Sequence, residues 1–148
     1  CIVGPSSESY GRIIRGLIKT WGIDDRVIFM GKVSRDHLKK MYAAADVFIF
    51  PSYGGESFGL VVLESMAAGT PVVTTQGGAL GKYISKYKLG FVTGFNPKKF
   101  AGSILVLLRN PKLRTLMGKR AKQFAQMFSW SRLFDKIERV YWRVMKND

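Results

Sequence analysis

The stretch "DVFIFPSYGGESFGLVVLESMAAGTPVVTT", Asp46 to Thr75, decides the fold. It opens on an apolar, β-rich run (Asp46 to Phe50) and crosses a turn rich in Pro, Ser and Gly. A helical pattern follows from about Ser57 to Ala68, and a second apolar run, "PVVTT" (Pro71 to Thr75), closes the unit. Strands that are apolar throughout belong in a sheet with both faces covered by helices, so the unit points to a parallel, doubly wound sheet.

The alternation extends outward in both directions. Upstream, "CIV" reads as strand, Ser7 to Thr20 as helix, "RVIFM" (Arg26 to Met30) as strand and Ser34 to Ala45 as helix. Downstream come a glycine-rich turn with a short helix to about Tyr87, and then "GFVTG" (Gly90 to Gly94). The last third is helical. Asn96-Pro97 and Asn110-Pro111 each place a capping side chain before a proline at the first helical position, and a closing helix covers about Ser129 to Met145. In that helix Leu133, Ile137, Val140 and Val144 form one stripe, and Arg132, Lys136, Arg139 and Arg143 another.

Bulk properties narrow the classes. A length of 148 residues with 47% hydrophobic content suits one domain with a sizeable core, and disorder is not expected. The opening on Cys1, in an apolar run entering a Gly-Pro turn, reads as the end of a strand already under way, and a fragment is expected. The excess of 24 Lys and Arg over 10 Asp and Glu, a net +14, favours phosphate-bearing ligands, nucleic acid or an anionic membrane surface. A single cysteine precludes an intrachain disulfide and suits a cytoplasmic setting, and neither a membrane span nor a signal-peptide layout is present in these residues.

Within the central unit one residue breaks the pattern. At about 100° per residue, Glu64 shares a helix face with Leu60, Val61, Ala67 and Ala68, which puts a carboxylate in an apolar stripe. Ligands of open α/β sheets bind at the carboxyl ends of the strands, where helix N-termini offer free N–H groups. Three strand ends here run into glycine and then helix: "MGKVS" (Met30 to Ser34), "PSYGGESFGL" (Pro51 to Leu60) and "TTQGGALG" (Thr74 to Gly81). Glu56 lies at the mouth of the helix and Glu64 eight residues on, at most ~12 Å along a helix axis. That span is comparable with a sugar diphosphate nucleotide, and ribose hydroxyls would supply donors to a buried carboxylate.

The segments "VIFMGKVS", "ADVFIFPS", "ESFGLVVLESMAAGTPVV" and the following "GG" resemble the donor-binding domain of retaining glycosyltransferases with the two-domain GT-B fold. The likeness is to the group 1, or family 4, type, whose signature is two glutamates separated by seven residues; Glu56 and Glu64 match it. "FSW" (Phe128 to Trp130) before the closing helix extends the likeness over most of the chain. The resemblance implies a Rossmann-like doubly wound sheet with C-terminal helices over residues 1–148, the C-terminal half of a GT-B fold with its first βα unit missing and a gap in the sheet where that strand would lie. It implies transfer of a hexose, such as mannose or glucose, with retention, from a UDP-, GDP- or ADP-sugar. Glu56 would contact the donor sugar near the reaction centre. Glu64 would bind the ribose hydroxyls, Phe58, Gly59 and Leu60 would give backbone amides to sugar and diphosphate, and Gly31 and Val33 would sit against the base. No metal or other cofactor is implied, and no Asp-x-Asp motif is present.

Departures from the family pattern are specific. Its diphosphate-gripping Arg and Lys would lie before Cys1, and its acceptor-binding N-terminal domain is not in this sequence, so the fragment alone is expected to be inactive and its acceptor stays unknown. Three residues separate Ser52 from Glu56 where many relatives have two, through Gly54-Gly55. Gly81 stands at about the position of a frequent glutamate.

Plainer readings stand beside these. Glu64 can be a structural carboxylate paired with Arg or Lys, Glu56 a solvated residue favoured by the helix dipole, and Gly31 and Gly77-Gly78 ordinary turns. His37 reads as a surface residue, and Trp21, Trp130 and Trp142 as packing groups. The basic stripe of the last helix is most often a solvated face; its sharper reading is a peripheral membrane contact. A basic nucleic-acid-binding α/β module and a degenerate GT-B scaffold domain are the competing functions. No nucleic-acid partner is expected, because the basic residues are scattered and no reading motif is visible.

Overall fold

The computed structural model describes residues 1–53, 56–76 and 78–146. Gly54, Gly55 and Gly77, singled out in the glycine-rich turns, lie outside the described residues. The chain divides into two compact units, Cys1–Leu38 and Lys39–Asp148.

The first unit contains β1 (Ile2–Val3), α1 (Glu8–Thr20) and β2 (Phe29–Gly31), with β1 and β2 parallel. The Ser7 side chain caps α1 by accepting from the Tyr10 N–H. Arg15 of α1 places its guanidinium 3.9 Å from the centre of the Phe29 ring on β2, a cation–π contact. The expected strand over Arg26 to Met30 is displaced: a single 3₁₀ turn takes Asp24–Arg26, and pairing begins only at Phe29. Helix α2 (Arg35–Ala44) then runs across the division into the second unit.

The second unit holds β3 (Phe48–Phe50), α3 (Leu60–Ala68), β4 (Val72–Thr74), α4 (Gly81–Tyr87), β5 (Gly90–Val92), α5 (Pro97–Arg109), α6 (Pro111–Ala125) and α7 (Trp130–Met145). All three strands are parallel, in the order β3-β4-β5, with Phe48, Ile49 and Phe50 opposite Val72, Val73 and Thr74. Consecutive β4 residues point to opposite faces, and both faces are filled. Val72 joins Val62 and Met66 of α3, Leu80, Ile84 of α4, and Ala121, Phe124 and Ala125 of α6. Val73 joins Leu107 of α5 and Met117 of α6. The double covering explains the unbroken apolar runs. Asn96 and Asn110 cap α5 and α6 as their Asn-Pro pairs predict, each Oδ1 accepting a backbone N–H at 3.0 Å, from Lys99 and Leu113.

Among the described residues the strands pair as two sheets, β1-β2 and β3-β4-β5, and no ladder joins them, in keeping with the gap expected where the fold's first strand would lie. One expectation needs correction. Helix α3 starts at Leu60, later than about Ser57, because Gly59 is held in the left-handed region at φ 86° and cannot propagate the helix.

Three threonines from the stretch after α3 stitch this unit together. Hydroxyls of Thr70, Thr74 and Thr75 donate to the carbonyls of Tyr42, Phe50 and Ser52 respectively. All three threonines are buried, so their hydroxyls need these partners.

Candidate functional site

The carboxyl ends of β3, β4 and β5 meet at one edge of the second sheet. Ser52, Thr75 and Gly94 are tied there: the Thr75 hydroxyl donates to the Ser52 carbonyl, and the Gly94 N–H donates to the Thr75 carbonyl at 2.8 Å. The loop from β3 returns as Glu56 to Gly59 and enters α3. Glu56 is not helical. Its carboxylate turns forward to accept the Gly59 N–H at 2.8 Å, capping a helix end whose first amides have no partner within the helix. A charge near a helix N-terminus is therefore satisfied by a specific contact, not by solvent alone.

The turn after β4 closes on the same loop. A Cβ at Gly78 (φ 52°) would lie 2.7 Å from the Glu56 carbonyl oxygen, so only glycine lets these two backbones touch. Gly81 is constrained too: a Cβ there would sit 2.1 Å from the Gln76 carbonyl. This chain cannot place a glutamate at that position without rebuilding the turn, which gives Gly81 a physical reason.

Phe58 packs inward, edge-on to Phe128 at 5.7 Å and against the α3–α4–α6 core, which leaves its backbone rather than its ring to the loop surface. Gly59 and Leu60 follow at the start of α3. Gly31 and Val33 belong to the first unit, at the end of β2 and ahead of α2; Gly31 has φ 60° and open space where a Cβ would be. The second unit thus brings Glu56, Phe58, Gly59, Leu60 and Glu64 into one strand-end loop and its helix, while Gly31 and Val33 occupy the corresponding loop of the first.

Glu64 departs from expectation. Its face of α3 is exposed, with Leu60 66% and Val61 38% accessible, and the buried positions are Val62, Ser65 and Met66. The carboxylate is therefore not a buried charge, and its partner is not Arg or Lys. Its Oε2 accepts the phenolic O–H of Tyr42 at 3.1 Å. Tyr42, only 6% exposed and edge-on to Phe48, is the partner of Glu64 that sequence reading missed. It lies 22 positions away on α2, and its place in the helical pattern marks it only as core.

Burial first, and then the adjacent Glu64 carboxylate, push the Tyr42 phenol well above its ordinary value of about 10. The sign follows directly. Below about pH 10 the phenol is neutral whether the chain is folded or not; above it, unfolding releases a proton that the folded state keeps, so stability falls as pH rises. Between about pH 9 and 11, chemical denaturation should show stability declining more steeply in the unmodified chain than in Tyr42→Phe. Parallel declines would show that Tyr42 does not titrate differently on folding.

Among the described residues, no group of three or more His, Cys, Asp or Glu side chains is placed to hold a metal ion, and no helix is long and apolar enough to cross a membrane.

Comparison with known proteins gives this geometry a context. The profile of the family described as "Glycosyl transferases group 1" matches residues 1–124. The chain is 36% identical over 141 residues to a D-inositol 3-phosphate glycosyltransferase of Corynebacterium efficiens, covering 93% of this chain and 32% of that protein. A protein of the same name from Salinispora tropica is 40% identical over 141 residues, covering 93% and 29%. The chain thus spans about a third of the length of the curated relatives it matches. Among solved structures, the sucrose-phosphate synthase of Thermosynechococcus elongatus superposes with a TM-score of 0.85 at 29% identity, over 99% of this chain and 38% of that one. The architecture is that of the C-terminal half of a GT-B protein, and the chain belongs to the glycosyl transferases group 1 family.

Proposed function

We propose that this chain is the donor-binding part of a retaining glycosyltransferase that moves a hexose from a UDP-, GDP- or ADP-sugar to an acceptor. The observation that carries the reading is the placement of two carboxylates on one loop-helix unit. Glu56 is folded onto the N-terminal amide of α3, and Glu64 is presented on the exposed side of the same helix by Tyr42. Only the segment from Leu60 to Glu64 between them is helical, about 6 Å along the axis.

The roles follow from charge. As the bond from the anomeric carbon to the diphosphate breaks, the electron pair leaves with the diphosphate, the acceptor hydroxyl oxygen bonds to the anomeric carbon and its proton passes to the departing diphosphate. The charge on the diphosphate is met by the Phe58 and Leu60 amides at the head of α3, the Gly59 N–H being held by Glu56. The Glu56 carboxylate stands beside the anomeric carbon, where positive charge develops. Glu64, with one oxygen engaged by Tyr42, offers its other oxygen to the ribose hydroxyls. Gly31 and Val33 take the base. The reading requires no metal and no cofactor beyond the donor.

In the complete enzyme, Glu64→Ala should raise the Kd of the nucleoside diphosphate about ten- to hundredfold, the value of hydrogen bonds to a charged group, and leave kcat at saturating donor little changed. Calorimetric titration measures this. An unaltered Kd would remove Glu64 from the nucleotide site.

A further inference from the structure

The loop that carries Glu56 also carries an aromatic group that the fold does not use. Tyr53 stacks on Phe95, ring centres 4.5 Å apart and planes inclined by 25°. Tyr53 follows the end of β3 and Phe95 the end of β5, and these strands are not neighbours, because β4 runs between them. Two strand spacings are about 9.6 Å. The rings therefore lean toward each other across the carboxyl end of β4, above the point where the turn leading to Gly78 and Gly81 begins. Both chain segments are anchored just before the aromatic residue: Ser52 by the Thr75 hydroxyl, and Gly94, at φ 67°, by its N–H to the Thr75 carbonyl.

The pair is poorly explained as a packing device. Tyr53 is 86% exposed and Phe95 39%, and neither belongs to the two apolar clusters that form the core of this unit. An aromatic side chain with that much of its surface in water gains little from burial. Stacking uses one face of each ring and leaves a flat apolar face outward, with the Tyr53 hydroxyl, a donor and acceptor, at its rim.

We infer that Tyr53 and Phe95 form an aromatic platform that receives the apolar face of a pyranose ring at the mouth of the site. A pyranose has the matching form: one face of C–H groups for the ring, and hydroxyls at its edge for the phenol. The choice of sugar over nucleobase follows from the chain order, since Tyr53 lies three residues before Glu56, at the sugar end, whereas Glu64, at the ribose end, lies eight residues beyond Glu56 and one turn into α3. This placement rests on the functional reading given above. The pyranose is either the donor's hexose or a sugar of the acceptor, and both present the same chemistry.

The test uses the complete enzyme with Tyr53→Ala, Phe95→Ala and Tyr53→Phe. For the two alanine variants, the KM of the sugar-bearing substrate should rise about five- to tenfold while the Kd of the nucleoside diphosphate, which has no hexose, stays within twofold; Tyr53→Phe, which keeps the ring and loses only the phenol's hydrogen bond, should show a smaller rise of about two- to threefold. A rise confined to donor KM and nucleotide-sugar Kd assigns the platform to the donor, and one confined to acceptor KM assigns it to the acceptor. Unchanged constants for both substrates, or a nucleoside diphosphate Kd that rises in parallel, would overturn the proposal. The underlying reading fails separately: it falls if the unmodified enzyme neither binds a nucleoside diphosphate nor transfers sugar, whatever the variants do.

Discussion

Glu56→Gln in the complete enzyme is expected to lower kcat by about two to three orders of magnitude, the range for removing a preorganised group that meets charge developing in the transition state. Glutamine is the informative replacement because Glu56 does two things. Its carboxylate accepts the Gly59 N–H at the head of α3, and in the proposed reaction it faces the anomeric carbon. The amide oxygen of glutamine retains an acceptor for Gly59, so the cap survives while the charge is lost. Glu56→Ala removes both, and should add a stability loss of about 1 kcal/mol, the usual cost of an N-terminal cap. Turnover by Glu56→Gln within about threefold of the unmodified enzyme would end the case for a role in the chemistry.

The second large effect is structural. Gly118→Ala should cost about 3 kcal/mol or more and could leave the chain unfolded, because a Cβ there would lie 2.1 Å from the Gly69 carbonyl oxygen and 3.2 Å from its carbon. Both are main-chain atoms at the left-handed residue that ends α3, and neither can move aside as a side chain does. The contact fixes how closely α6 approaches α3, and Val62 and Met66 of α3 share their cluster with Ala121 and Phe124 of α6. Gly102→Ala on α5 is the control. Its Cβ would meet nothing within 4 Å, so in denaturant it should be neutral or gain up to about 1 kcal/mol from helix propensity. Equal stability of the Gly118 and Gly102 variants would show that α3 and α6 are not held at backbone contact.

What the sequence made legible was local. The Asn-Pro pairs located two helix starts because the capping contact lies within three residues, and the apolar runs located the strands of the second unit because both faces of its sheet are covered. The start of α3 was less legible, since it depends on Gly59 adopting a positive φ and on Glu56 reaching forward to cap it. Helical spacing correctly grouped Glu64 with Leu60 and Val61, but spacing tells which residues share a face and not whether anything covers it. That face is exposed here. Nothing local could pair Glu64 with Tyr42, since the contact depends on how α2 is set against α3.

The threonine hydroxyls of the "TPVVTT" stretch have a consequence for how this chain avoids misassembly. In a parallel pair of such short strands, Phe48 to Phe50 against Val72 to Thr74, apolar residues alone would tolerate a slip, as Val72 and Val73 are alike. A slip of one residue would exchange the faces they fill. It would also carry the Thr74 and Thr75 hydroxyls away from the Phe50 and Ser52 carbonyls and leave buried donors unpaired, a penalty that two similar valines do not impose. The threonines thus act as a vernier, selecting one alignment of β3 and β4 and fixing the height at which the Glu56 loop leaves the sheet.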